Sequence, residues 1–173
     1  MEYMKLDDSA RAEVLRDLAA MPAYLREAFE ALPQDLLTTG GPDGLFSPVE
    51  QVWHLADLEQ EGFASRIERL LNEHDPLLPD FDGTAVARAR NYKALSLTAG
   101  LARFEAARHA NLARLRAVPD DAWTRSGVQS GVGAVSLCDM PVFLRQHDEA
   151  HKGEIAQWRR HVDAEPRPQG DDA

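Results

Sequence analysis

A chain of 173 residues, 44% hydrophobic and 28% charged, is long enough for one domain with a substantial core and has the composition of an ordinary globular protein. Its 29 acidic residues outweigh 19 basic ones, and a formal net charge of −10 argues against nucleic acid or an anionic membrane surface as a partner. The single cysteine, Cys138, allows no intramolecular disulfide and no Cys-rich zinc motif.

The N-terminus lacks the basic-then-apolar pattern of a signal peptide, and no run approaches the length of a membrane span, so the expectation is a cytoplasmic protein. Four helical blocks follow one another. The first runs from about Asp8 to Leu32 with Val14, Leu15, Leu18, Leu25 and Phe29 on its apolar face, and Pro22 is expected to kink or split it. The second opens on Ser47-Pro48-Val49-Glu50, a Ser N-cap with Pro at the first helical position and Glu at the third, and reaches about Asn72. The third spans about Leu95 to Ala117, where Pro119 stops it. The fourth spans about Ser136 to Val162, with Ser136 and Asp139 as a second capping box and Pro141 awkwardly close inside it.

Apolar and polar residues nowhere alternate for long, and β-branched residues are few, so no sheet is expected. The expected fold is an all-α four-helix bundle over 1–162, followed by a disordered tail at 163–173. Two connections are long, 73–92 and 118–135. Antiparallel neighbours need only a few linking residues, so the first long link predicts a crossover that leaves helices two and three parallel. Loops of that length also serve as lids or site walls.

The fourth block carries the most informative feature. His147 and His151 are four residues apart, so on a helix both imidazoles share a face and could chelate one divalent ion. Leu144, His147, His151, Ile155, Trp158 and Val162 recur at helical spacing, so the pair points inward, where an imidazole without a partner is costly. His54, in the second block, is a candidate third ligand, although taken alone it reads better as a hydrogen-bonded bundle residue. Glu50, Asp57 and Glu61 flank it at helical spacing. Any of them could orient an imidazole, and Glu50 and Asp57 are candidate general bases by location only. Asp148 is placed in solvent by its angular offset from His147, and the arginines read as belonging to solvated helix faces. His74, His109 and His161 read as surface residues, the three tryptophans as packing residues, and Asp80 with Asp82 as turn chemistry. Cys138 reads equally as a small buried hydrophobe or a reactive thiol.

Ser47-Pro48-Val49-Glu50-Gln51-Val52-Trp53-His54-Leu55-Ala56-Asp57 resembles the second-helix signature of the DinB-like superfamily. His147-Asp148-Glu149-Ala150-His151-Lys152-Gly153-Glu154-Ile155 resembles its fourth-helix motif, and Pro79-Asp80-Phe81-Asp82-Gly83 is similar to a recurrent loop. The resemblance implies a four-helix bundle, often dimeric, with parallel second and third helices and a metal held by His54, His147 and His151. Gly153-Glu154 departs from the small or amide residues usual before the Ile, which leaves Glu154 either near the site or in solvent. Three neutral histidines suit zinc or nickel and leave an open position that acidifies water or a thiol. The expected activity is therefore transfer of a low-molecular-weight thiol to a small electrophilic substrate, with metal-dependent hydrolysis as the alternative. A non-catalytic metal- or small-molecule-binding stress-response protein is a further one.

Overall fold

The computed structural model describes residues 6–164. Helix α1 (Asp8–Phe29) starts on Asp7, whose side chain accepts the Ala10 N–H at 2.7 Å, and buries Val14, Leu18, Met21, Leu25 and Phe29 along one stripe. It is not split at Pro22. A proline lacks the N–H that would reach back to Leu18, and Arg108 Nη1 donates to that carbonyl instead, at 2.9 Å.

The second rod is continuous but not uniform. Helix α2 (Pro48–Asp57) carries the expected capping box, with the Ser47 N–H donating to Glu50 Oε2 at 3.0 Å. Residues Leu58–Phe63 form a π-helical segment, and helix α3 (Ala64–Asn72) carries on from it. One extra residue is accommodated there, and the Glu59 carbonyl gains a side-chain donor from Asn111 Nδ2 at 2.9 Å.

The first long link holds strand β1 (Leu77–Leu78) and helix α4 (Gly83–Arg90), which Asp82 caps through the Ala85 N–H. Helix α5 (Leu97–Arg116) is capped by Ser96. The second long link holds strands β2 (Ser126–Gln129) and β3 (Gly133–Ser136). They pair antiparallel around a turn in which Gly131 and Gly133 take φ of 77° and 106°, and β1 joins β2 in parallel with Leu77 opposite Val128. The chain is the expected all-α four-helix bundle, and this small sheet overturns only the expectation that no sheet forms. Its strands are two to four residues long, too short for alternation to register, and its parallel pair joins segments about fifty residues apart.

Helix α6 (Asp139–Ala164) closes the bundle. Asp139 Oδ2 accepts both the N–H and the hydroxyl of Ser136, at 2.7 and 3.0 Å, and Pro141 falls in the first turn, where its missing N–H has no intrahelical acceptor. Asp163 and Ala164 are helical; the rest of the tail expected to be disordered lies outside the described residues.

Cross-helix partners give the helix directions. Trp53 meets Ser96, Asp57 meets Arg103 and Glu59 meets Arg108, so the second rod and α5 run parallel, as the long link predicts. Gln51 meets Glu154 and His54 meets His147, so α6 is antiparallel to that rod. Asp17 meets Arg145 and Phe29 meets Trp158, so α1 and α6 are parallel. No helix among the described residues is long and apolar enough to cross a membrane.

The apolar interior falls into two clusters. One gathers Leu18, Ile67, Leu112, Trp123, Met140 and Leu144; the other gathers Met21, Val52, Phe104, Ile155 and Trp158. At their boundary lies an ion layer. Arg108, 1% exposed, donates to Asp148 through both terminal nitrogens at 2.7 and 2.9 Å and to Glu59 Oε2 at 3.0 Å. Two expectations are corrected here. Asp148 is buried rather than in solvent, because α6 packs against α1, α2 and α5, so its buried arc is wider than one stripe. Arg108 is no surface arginine either, since two carboxylates compensate it in the core.

Candidate metal centre

The histidines sit on the same level of the bundle as the ion layer, between Leu144 and Ile155 on α6 and facing α2. One candidate ligand atom from each of His54, His147 and His151 lies within 4.8 Å of the other two. His147 Nε2 and His151 Nε2 face each other at 3.1 Å. Two nitrogens bound to one tetrahedral zinc at about 2.0–2.1 Å stand about 3.3 Å apart, so this pair is already near chelating separation.

His151 is held from behind. Its Nδ1 lies 2.5 Å from Gln51 Oε1 and 3.2 Å from Glu154 Oε2, and Gln51 Nε2 donates to the same Glu154 oxygen at 2.9 Å. The amide oxygen can only accept, so Nδ1 carries the proton and the Nε2 lone pair points at His147. Hydrogen bonds from His151 and then Gln51 hold the Glu154 carboxyl down to about 2 despite its partial burial. Glu154 thus belongs to the site, while Gln51, 1% exposed, is a positioning residue that the sequence reading missed. The available signal was its place one turn before His54 on the same helix.

His54 is gripped from the other side. Phe46 and Phe81 pack against its ring, with centroids at 5.6 and 6.5 Å. Gly83, the first residue of α4, is pressed against it so closely that a Cβ there would meet Nδ1 at 2.6 Å. His54 Nδ1 is buried and has no hydrogen-bond partner. Burial, then the neighbouring His151, pushes His54 down to about 4; the same two effects, in that order, with His54 adding a third, push His147 down to about 3. Both imidazoles are therefore neutral at pH 7 and keep a lone pair for a cation. A neutral nitrogen donor set with one orphaned buried nitrogen fits a divalent ion.

The two candidate bases are placed elsewhere. Glu50 Oε2 is taken up by the Ser47 cap, with Lys93 3.9 Å away. Asp57, 1% exposed, accepts from Arg90 at 2.5 Å and from the Tyr92 hydroxyl at 2.6 Å and lies 3.0 Å from Arg103, so its oxygens are occupied in tying α2 to α4 and α5. Asp80 and Asp82 do make turn and cap bonds, and His74 and His109 are exposed. Trp123 and Trp158 are packed in the core, and Cys138 is buried, accepting the Leu6 N–H at 3.3 Å.

Two cavities meet at the histidines, and His54 lines both. One, of about 340 Å³, is lined by Leu58, Phe63, Phe81, Val132, Phe143 and His147, together with Arg66, Asp80, Gln129 and Gln146. The other, of about 300 Å³, is walled by Phe46, Gly83, Thr84, His151 and Glu154.

Residues 17–155 match the family model of the DinB superfamily. The fold matches that of YfiT from Bacillus subtilis, described as a probable metal-dependent hydrolase with an unusual four-helix bundle topology. The TM-score is 0.85 at 21% identity, over 94% of this chain and 93% of that one. No curated protein matches the chain.

Proposed function

The chain belongs to the DinB superfamily, and on that premise we propose that it is a metal-dependent enzyme whose divalent ion, zinc or nickel, is held by His54, His147 and His151. The observation that carries the reading is the convergence of three imidazoles on one point, two of them with Nε2 atoms 3.1 Å apart and the third with a buried nitrogen lacking any partner. An ion held there supplies a Lewis acid that lowers the pKa of a coordinated water or thiol.

The chain's own residues supply the rest. Gln51 and Glu154 hold His151 in the tautomer that presents Nε2, and the low pKa values of His54 and His147 keep both rings neutral at pH 7, each with one lone pair to offer. Phe46, Phe81 and Leu58 keep bulk water from the histidines. Glu154 is the one carboxylate lining the cavity beside His151, and its hydrogen bonds with His151 and Gln51 and its low pKa suit it to fixing the His151 ring rather than to taking a proton from a nucleophile.

Two cavities that meet at the centre suit a reaction with two reactants, a low-molecular-weight thiol in one and a small electrophile in the other. Thiol transfer is therefore the first reading. Hydrolysis is the second, favoured by the likeness to YfiT. The homodimer and the cytoplasmic setting expected from the sequence remain part of the proposal. Metal analysis of untagged protein tests the centre: about one divalent ion per chain is expected, lost in His147→Ala and His54→Ala. Equal, negligible metal in wild type and variants overturns it. Loss of free thiol in the presence of an electrophile, absent with His54→Ala, supports transfer; turnover of ester or amide substrates without thiol supports hydrolysis.

A further inference from the structure

Arg66 is the buried cation that the ion layer does not explain. It is 5% exposed, meets no carboxylate within 4.0 Å among the described residues, and makes a single long hydrogen bond, from Nη2 to the Pro79 carbonyl at 3.3 Å. Its Nε is buried without a partner, and its guanidinium lies over Phe63 at 5.3 Å. Among the described residues the other deeply buried charges are met: Arg108 by Glu59 and Asp148, Asp57 by Arg90, Arg103 and Tyr92, and Asp139 by the N–H and hydroxyl of Ser136. A buried cation without a counter-charge is costly and is held where something else supplies one. Burial lowers its pKa, and Asp80, which lines the same cavity with Oδ1 bonded to the Phe81 N–H, acts the other way.

Arg66 lines the apolar cavity that opens onto His54 and His147. Gln129, 8% exposed, lines the same cavity, and its Oε1 is buried without a partner. Two buried polar side chains thus stand incomplete in a cavity whose apolar walls are Leu58, Phe63, Phe81, Val132 and Phe143 and whose lining also includes Asp80 and Gln146. Arg66 is twelve residues beyond His54 on the same rod, one of them absorbed in the π-helical segment, so the two side chains reach the cavity from backbone positions about 16 Å apart along the rod.

We propose that this cavity binds an elongated, mainly apolar small molecule by its carboxylate, which Arg66 receives, with the opposite end of the molecule at the histidines. The fork of a guanidinium matches a carboxylate with two parallel charge-assisted hydrogen bonds, and the aromatic walls fit an apolar spacer. The reacting end of the molecule rests on the function proposed above; the carboxylate end does not, since it needs no metal.

The test compares 4-phenylbutyrate with 4-phenylbutan-1-ol by calorimetric titration of metal-free and zinc-loaded protein. The carboxylate is expected to bind at least tenfold tighter than the alcohol in both forms. Arg66→Gln should bring the two within threefold, and Arg66→Lys should restore part of the preference. Equal binding of acid and alcohol to the wild type overturns the proposal. So does a preference that survives Arg66→Gln but is lost in His147→Ala, which places the carboxylate at the histidines. In the wild type, the Arg66 side-chain Nε–H resonance should shift with the acid and not with the alcohol; no shift overturns the proposal without any variant. Absence of bound metal, with the carboxylate preference intact, would instead sink the metal-enzyme reading alone.

Discussion

Arg108 Nη1 donates to the Leu18 carbonyl at 2.9 Å, and that carbonyl is free to accept because Pro22, four residues on, has no N–H to give it. A helix irregularity in α1 and a buried cation in α5 are therefore one feature. Asn111, three residues beyond Arg108, does the same for the Glu59 carbonyl at the π-helical segment.

Replacing Arg108 by Met should destabilise the protein by about 3–5 kcal/mol, because Glu59 and Asp148 would be left buried without their counter-charge. Denaturant unfolding measures it. Replacing all three by apolar residues of similar volume should recover much of that loss. A single-variant cost below about 1 kcal/mol would mean that the layer contributes little.

Acid should destabilise the metal-free protein from near neutrality downward. His54 is held down to about 4 and His147 to about 3, against about 6.5 in the unfolded chain. Between those values the unfolded state binds more protons, so the associated stability is complete above about pH 6.5 and is lost as pH falls towards 4 and then 3. The thermal midpoint is expected to be flat above pH 7 and to drop between pH 6.5 and 4.5, with a shallower slope in His147→Leu. Glu154, held down to about 2, adds its own loss only below the usual carboxylate range. A midpoint that rises on acidification from pH 6.5 would reverse the assignment.

Gln51→Leu should preserve the fold and weaken metal binding by about 10–100-fold, since it removes the acceptor that fixes the His151 proton on Nδ1. Competition against a chromophoric chelator reads the affinity. Unchanged affinity would show that Glu154 alone orients the ring.

Gly83→Ala sets two effects against each other. Alanine favours a helix over glycine by up to about 1 kcal/mol, yet its Cβ would strike the His54 ring. Metal affinity should fall at least tenfold while α4 stays folded, read by chelator competition and circular dichroism. Retained affinity would show that His54 can retreat without leaving the centre.

The four blocks were legible because each carries a long apolar stripe at helical spacing and two begin with the pattern of a capping box. The parallel pairing was legible because link 73–92 is too long for a hairpin of helices. The histidines were legible because the i, i+4 pair lies on its helix's apolar face. Other features leave no such trace. The π-helical turn at Leu58–Phe63 is a change of hydrogen-bond pattern, not of composition. Arg108 sits among Ala106, Ala107, His109 and Ala110, which read as a solvated face, and only its partners on other helices show that it is buried. Asp57 lay near His54 in sequence, but its oxygens turn to Arg90 and Tyr92, which come from the link that the sequence left as loop.

The π-helical segment also acts as a phase correction. On an unbroken α-helix, twelve residues would leave Arg66 rotated about 120° from His54, on a different wall of the bundle. The one residue absorbed between Leu58 and Phe63 takes back about 100° of that rotation, leaving the two side chains about 20° apart around the axis, so that both line one cavity. The rod behaves as a vernier, with its upper and lower halves brought into step by a single turn of different pitch.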